Sequence, residues 1–398
     1  MGNRDNPTFP RLHDSFIYHI AVCRVLTYLM PRQLRLILII MNYTDYSGDA
    51  VGLLKRLIEV PSLSRSEDRA ADVMEDALKE WGMACRREGN NVWVTDEAFD
   101  DGRPTLLLNA HIDTVKPVDS WTRNPFDPQV EGDRLYGLGS NDCGGGLVTL
   151  LQVFRIMAGR RRSYNMVYLA SAEEEVSGAS GISMVLPMLP RIDVAIVGEP
   201  TRMQPAVAEK GLMVLDVTAR GKSGHAARGE GVNAIYEALD DLCWMRGYRF
   251  EKVSRFLGPT QMNVTVINAG TQHNVVPDRC TMVVDVRTNE LYTNEEVYDI
   301  VRTHLKSDVT ARSFRLHSSG ISESHPLVRR CVELGMTPFG SPTLSDQALM
   351  PFDSLKIGPG DSARSHSADE YICLSEIEEA IDTYVRMLDG LDLRASDV

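Results

Sequence analysis

His111 and Asp113 stand two positions apart, just beyond the run Leu106-Leu107-Leu108-Asn109-Ala110. Residues two apart on a strand point to the same side, so an imidazole and a carboxylate leave the strand tip together. A metal-ligating imidazole commonly donates its other ring nitrogen to a carboxylate. Asp113 could serve that purpose or ligate a metal itself. The same kind of ending recurs downstream. The apolar run 166–170 is followed by Glu173-Glu174-Glu175, and the run 194–197 by Gly198-Glu199-Pro200. On a surface helix, successive carboxylates are an ordinary solvated face. At the tip of a buried strand they repel one another unless cations hold them or one is neutralised. Asp142 lies in the glycine cluster 137–146, and His366 in the glycine-rich loop 358–369.

Together, His111, Asp113, Asp142, Glu174, Glu175, Glu199 and His366 offer imidazoles and carboxylates in a mixture that suits one or two divalent metals of the zinc type. A pair of ions roughly 3.5–4 Å apart needs a carboxylate shared between them, and Asp142 is the candidate bridge. One carboxylate must remain to act on water, and the acidic triplet supplies it. The glycine cluster lacks both a Gly-Lys-Ser/Thr ending and a Gly-x-Gly-x-x-Gly register, which excludes a phosphate-binding loop. It reads as a tight turn that lets backbone approach a ligand. Capping the helix that follows is the plain structural role for Asp142.

These residues need a scaffold. Strands at 91–95, 104–110, 166–170, 194–197 and 355–357 alternate with helices at 50–59, 67–82, 147–158, 326–334 and 374–388, with Ser66 as a candidate cap. The uninterrupted apolar runs are those of strands covered on both faces, as in a parallel sheet. In open sheets of this kind, ligands bind outside the carboxyl ends of the strands, where the candidate residues fall. Between 210 and 318 the pattern changes to strand 212–219, helix 232–245, strands 262–269 and 280–286, helix 294–305 and strand 313–317. That β-α-β-β-α-β order is ferredoxin-like. The predicted class is α/β, with a mostly parallel central sheet built from 41–209 and 319–398 and an inserted α+β ferredoxin-like domain at 210–318. The apolar stripe of helix 232–245 reads as core. His273, His304, His317 and His325 read as structural or surface residues.

Composition narrows the function classes. A chain of 398 residues is expected to divide into two domains. The net charge of -13, from 42 basic and 55 acidic residues, argues against nucleic acid and anionic membrane as partners. The seven cysteines are scattered, with no Cys-x-x-Cys pair, which points to a reduced cytoplasmic protein. The apolar stretch 25–40 is broken by Pro31, Arg32 and Arg35, so it is too short and too charged to span a bilayer. It also lacks a signal-peptide cleavage pattern. Residues 1–40 read as a non-native or disordered extension, with Met41 as the natural start.

The ordered set His111-x-Asp113, Asp142, Ala172-Glu-Glu-Glu175, Gly198-Glu-Pro-Thr201, Gly224-His225 and His366 resembles the metallopeptidase family of acetylornithine deacetylase, succinyl-diaminopimelate desuccinylase, aminoacylase and the carboxypeptidase-G type. The resemblance covers about residues 41–391. Gln204-Pro-Ala-Val-Ala-Glu-Lys-Gly211 and Ile357-Gly-Pro-Gly360 look most like the acetylornithine deacetylase branch. The resemblance implies a zinc-peptidase-like catalytic domain, a lid that also dimerises the protein, and two divalent metals, zinc or alternatively cobalt. It implies that His111, Asp142 and Glu199 bind one metal and that Asp142, Glu175 and His366 bind the other. Asp113 would orient His111, and Glu174 would be the general acid/base. His225 would polarise the substrate carbonyl from the lid, with the partner subunit as one source. Asn274 and Arg287 would hold the substrate carboxylate.

Plain readings stand beside these. Arg287 could be a salt-bridged strand residue, and Cys143 a small space-filling thiol. Gly144 stands where many relatives carry Lys, and Glu173 where Asp is more usual. The implied activity is removal of an acetyl or succinyl group from an N-acyl amino acid such as ornithine or citrulline, in arginine biosynthesis. A deacylase of N-acyl-lysine or succinyl-diaminopimelate and a metal-dependent dipeptidase are the alternatives. A non-catalytic metal-binding protein is the reading from another class, and a spare Glu174 argues against it.

Overall fold

A computed structural model describes residues 43–394, so the extension 1–40 and Met41 lie outside the described residues. The chain begins with α1 (Thr44–Ile58), α2 (Asp68–Glu80), β1 (Cys85–Glu88), β2 (Asn91–Thr95) and β3 (Thr105–His111). Next come α3 (Gly145–Ala158), β4 (Asn165–Ser171), β5 (Val194–Val197) and β6 (Ala206–Glu209). The run β7 (Met213–Arg220), α4 (Ala234–Gly247), β8 (Gln261–Ala269), β9 (Arg279–Arg287), α5 (Asn294–His304), β10 (Asp308–Ala311) follows. The chain ends with β11 (Ser319–Gly320), α6 (Pro326–Glu333), β12 (Phe339–Ser341), β13 (Asp353–Lys356) and α7 (Leu374–Leu388).

The larger sheet has nine strands in the order β1-β2-β4-β3-β5-β13-β6-β11, with β12 beside β6. Its centre, β4-β3-β5-β13, is parallel. Every residue of β3 is buried, as its apolar run requires. Leu106 and Leu108 pack with α1, α3 and α7, and Leu107 packs on the opposite face with Val167, Leu169 and Ala195. Register aligns the strand tips. His111 lies opposite Ser171, and Asn109 opposite Val197. Glu199, two residues past Val197, therefore emerges at the level of His111. One glycine pair tightens this edge. A Cβ at Gly146, in the first turn of α3, would overlap the Gly198 carbonyl, so only glycine lets the helix start against the end of β5.

The smaller sheet runs β8-β9-β7-β10 and is antiparallel throughout. With α4 and α5 on one face, it is the ferredoxin-like arrangement. Burial alternates along β7 and β9, as expected of a sheet with one covered face.

Four expectations need correction. The last lid strand lies at Asp308–Ala311 rather than 313–317. Of the second stretch only Leu316 pairs, as a single antiparallel bridge to Leu212, and the Asn294 amide donates to the carbonyls of Phe314 and Leu316. Helix α1 begins at Thr44, six residues before the expected start, because Tyr43 and Ala50 are both buried beneath it. Ser66 does not cap α2; Glu67 is the N-cap residue and makes no side-chain cap bond. The stripe on α4 divides. Ala234, Ala238 and Met245 are core, whereas Ile235, Tyr236 and Leu239 are 38%, 69% and 48% exposed. They share this exposure with Val266 and Ile267 of the edge strand β8. The described cysteines are all free, and no described helix is long and apolar enough to cross a membrane.

Candidate metal centre and active site

The strand tips and two loops bring six of the predicted side chains together. Asp142 sits between the imidazoles: its Oδ1 is 3.3 Å from His111 Nε2 and its Oδ2 is 3.5 Å from His366 Nε2. Glu199 Oε1 lies 3.7 Å from His111 Nε2, and Glu175 Oε2 lies 3.0 Å from His366 Nε2. Two overlapping groups result, His111/Asp142/Glu199 and Asp142/Glu175/His366, sharing one carboxylate. Glu174 Oε2 is 3.9 Å from His111 Nε2, beyond hydrogen-bond reach.

The residues fit divalent cations. Burial, with Asp142 as the next influence, pushes the Glu199 carboxyl up to about 8. Burial also holds Glu174 well above the ordinary carboxylate value, against the pull of His111. Glu199 Oε1 is buried with no hydrogen-bond donor. Acids this crowded call for positive charge among them, and imidazole with carboxylate is a zinc-type donor set. Cys143 lies within ligand distance of His111 and Glu199. Its Sγ, however, accepts the His111 N–H at 3.1 Å, so the thiol serves the backbone of β3 and keeps its space-filling role.

Backbone amides and buried carboxylates aim these groups. His111 Nδ1 donates to the Asp113 carbonyl oxygen at 2.8 Å, which puts the hydrogen on Nδ1 and leaves the Nε2 lone pair facing Asp142. Asp113 thus orients His111 through its carbonyl. Its carboxylate, 3.5 Å from Nδ1, takes the Ser64 hydroxyl at 2.8 Å and the N–H groups of Glu174 and Glu175 at 3.0 and 3.2 Å. Glu67, fully buried, takes the N–H of Glu173 at 3.3 Å. With its amides held from behind, the acidic turn presents Glu174 and Glu175 forward. Glu173 and Ser177, which flank the turn, have φ of 55° and 43°, a strained conformation that surrounding structure must hold in place.

A cavity of about 770 Å³ is lined by Asp142, Glu174, Glu175, Glu199 and His366 together with Gln204, Phe339, Thr343 and Leu344. His225, Asn274 and Arg287 do not line it. His225 is exposed, with Nδ1 accepting from Ala227 N–H at 3.2 Å. Asn274 is its neighbour, its carbonyl accepting from Ala226 N–H at 3.0 Å. These two predicted residues therefore share one open corner of the lid. Arg287 is bound by Asp285 at 2.9 and 3.1 Å, the plain strand pairing. A Cβ at Gly144 would meet the Gly139 carbonyl and Leu54, so this turn has no room for the Lys of other sequences.

Sequence reasoning missed Glu67, Asn141 and Glu370. Glu67 resembled an ordinary helix start. Asn141 and Glu370 lie beside the predicted ligands Asp142 and His366, and that adjacency was the available signal.

Comparison with known proteins identifies the family. The model of peptidase family M20/M25/M40 matches residues 107–390. The chain belongs to this family of metal-dependent hydrolases of amide bonds. An acetylornithine deacetylase of Pectobacterium carotovorum is 30% identical over 360 residues, spanning 81% of this chain and 92% of the relative. A succinyl-diaminopimelate desuccinylase of Wolbachia pipientis is 27% identical over 270 residues, 64% of this chain and 68% of the relative. The same fold is found in a dinuclear metal-binding M20 peptidase from Bacillus subtilis. That structure superposes with a TM-score of 0.65 at 16% identity, over 88% of this chain and 99% of that one.

Proposed function

We propose that this protein is a dinuclear deacylase that hydrolyses the amide of an N-acetyl or N-succinyl amino acid, with ornithine or citrulline as the amino acid released in cytoplasmic arginine biosynthesis. One observation carries the reading: Glu174, unbonded to either imidazole, stands beside a two-imidazole carboxylate cluster that opens onto a cavity. The likeness to acetylornithine deacetylases over most of both chains supports the choice of substrate. The desuccinylase relatives favour the succinyl group as the second reading.

His111, Asp142 and Glu199 would hold one metal, and Asp142, Glu175 and His366 the other, with zinc as the proposed ion and cobalt as the alternative. Two divalent cations held there supply Lewis acidity for a water nucleophile and for the acyl carbonyl. Glu174 takes the proton from the attacking water. It then gives that proton to the leaving amine. Asp113 and Glu67 keep the base-bearing turn still while the proton moves. His225 stabilises the developing oxyanion, and Asn274 receives the substrate carboxylate, while Arg287 stays paired with Asp285.

His225 and Asn274 sit on an exposed corner, so their roles call for a lid supplied to the site by a second copy. The apolar surface of α4 and the unpaired edge of β8 support a homodimer through this domain, because exposed edge strands and apolar patches favour covering. A panel of N-acetyl and N-succinyl amino acids and dipeptides, assayed after zinc or cobalt reconstitution, tests the proposal. N-acyl amino acids are expected to give the highest kcat/KM. Preference for dipeptides, or no hydrolysis by metal-loaded protein, would overturn it.

A further inference from the structure

We infer that Glu370 is a positioning residue that presents Asp142 to both metals by holding the 139–142 turn around its own carboxylate. The inference rests on the reading of Asp142 as the shared ligand. Glu370 is 2% exposed. Its Oε2 accepts the N–H of Gly139 at 3.2 Å, and its Oε1 accepts those of Asn141 and Asp142, both at 2.9 Å. A buried carboxyl group four residues after His366 is thus spent on the backbone of a different segment. Three amide bonds converge on this one carboxyl group. Here they fix a residue whose φ of -114° and ψ of 98° break from the helix that follows. The turn is closed by its own backbone, Gly144 N–H on the Gly139 carbonyl at 2.9 Å, and the three convergent amides tie it to Glu370.

A second fastening makes the two ligand segments one unit. The Asn141 side chain donates to the Asp361 carbonyl at 3.1 Å and to Ser365 Oγ at 3.2 Å, and it accepts the Asp361 N–H at 2.9 Å. The turn bearing Asp142 and the loop bearing His366 are joined by side chains that ligate nothing. Burial pushes the Glu370 carboxyl up to about 8, and its three amide bonds work against that rise.

The test is zinc titrated against a chromophoric chelator, with zinc per chain from elemental analysis, in wild type, Glu370→Gln and Glu376→Gln. Gln keeps the shape but turns an amino group towards amide hydrogens. Its zinc affinity is expected to fall about 10–100-fold, the usual loss when a ligand's supporting partner is removed. Glu376 lies on the same segment and binds Arg364 and the Cys373 N–H. Its variant is expected to keep wild-type affinity even if it melts earlier. Wild-type affinity and stoichiometry in Glu370→Gln, or an equal loss in Glu376→Gln, would overturn the inference. If the Gln variant does not fold, Glu370→Asp is titrated instead, and unchanged affinity there also overturns it. A wild-type protein that binds no zinc would instead defeat the metal reading itself, a distinct result.

Discussion

Replacing Glu174 with Gln separates holding metal from using it. The side chain is 11% exposed, and its nearest imidazole nitrogen is 3.9 Å away. Gln has the same shape, so packing is preserved. The turn is secured by its N–H groups on Asp113, so the substitution breaks no bond that aims Glu175. Metal content should therefore remain at the wild-type level. The lost function is proton transfer. General acid–base catalysis contributes about 10²–10⁴-fold, which at about 1.36 kcal/mol per decade is roughly 2.7–5.4 kcal/mol of barrier. The fall should appear in kcat, with KM little changed, because the carboxylate acts on water rather than on bound substrate. Steady-state kinetics on the preferred N-acyl amino acid, with zinc per chain measured in the same sample, checks both parts. A variant with kcat within about tenfold of wild type would refute the assignment of the base. A variant lacking zinc would show that Glu174 is itself a ligand.

Three further outcomes are expected. Asp113→Asn puts an amino group at one of the two oxygens that now accept the Glu174 and Glu175 N–H groups; zinc affinity should fall about 10–100-fold, read by chelator competition, with kcat falling too. Mixing inactive Glu174→Gln with inactive His225→Ala should restore roughly a quarter of wild-type activity, if random assortment of a symmetric dimer combines a sound base with a sound lid; no recovery after subunit exchange would remove the partner's lid from the site. Gly146→Ala drives a methyl group into the Gly198 carbonyl and should cost about 1–3 kcal/mol through overpacking, seen as a lower melting temperature together with weaker zinc binding as Glu199 shifts.

The parts of the site that were legible in sequence are those fixed by the chain direction of single elements. A strand buried on both faces has a recognisable apolar run, and whatever follows it lies at the sheet's carboxyl edge. His111, Glu174, Glu175 and Glu199 were found for that reason. The supporting carboxylates were hidden because their partners are backbone amides, which every sequence position possesses. Nothing in the residue type of Glu67 says that its oxygen will meet the N–H of Glu173, more than a hundred positions on. The lid's last strand was misplaced for a related reason. The stretches 308–311 and 313–317 both look extended, but the first pairs residue by residue along β7 whereas the second meets only Leu212 through Leu316. On α4, periodicity marked a stripe of apolar residues but not whether a sheet or solvent faces each of them.

The arrangement of charge also determines how metal removal must act. Asp142, Glu174, Glu175 and Glu199 converge in front, while Asp113, Glu67 and Glu370 pull on the turns from behind, so the folded protein gathers anions that the unfolded chain disperses. In the metal-free state, burial raises Glu199 to about 8, against roughly 4.3 in an unfolded chain. Its bond to Glu175 raises His366 to about 9, against roughly 6.5 unfolded. Both shifts mean that the folded state binds more protons than the unfolded state, so stability must fall as pH rises. The Glu199 contribution declines between roughly 4.3 and 8, and the His366 contribution between roughly 6.5 and 9. Chelated protein should therefore melt at a progressively lower temperature from pH 6.5 to pH 9. Zinc should largely abolish that slope and add stability, by about 2.7 kcal/mol for a site at a hundredfold excess over Kd. Calorimetry with and without chelator across this range checks the argument. A metal-free protein whose melting temperature is flat or rises with pH would show that the acids are not gathered as the fold places them.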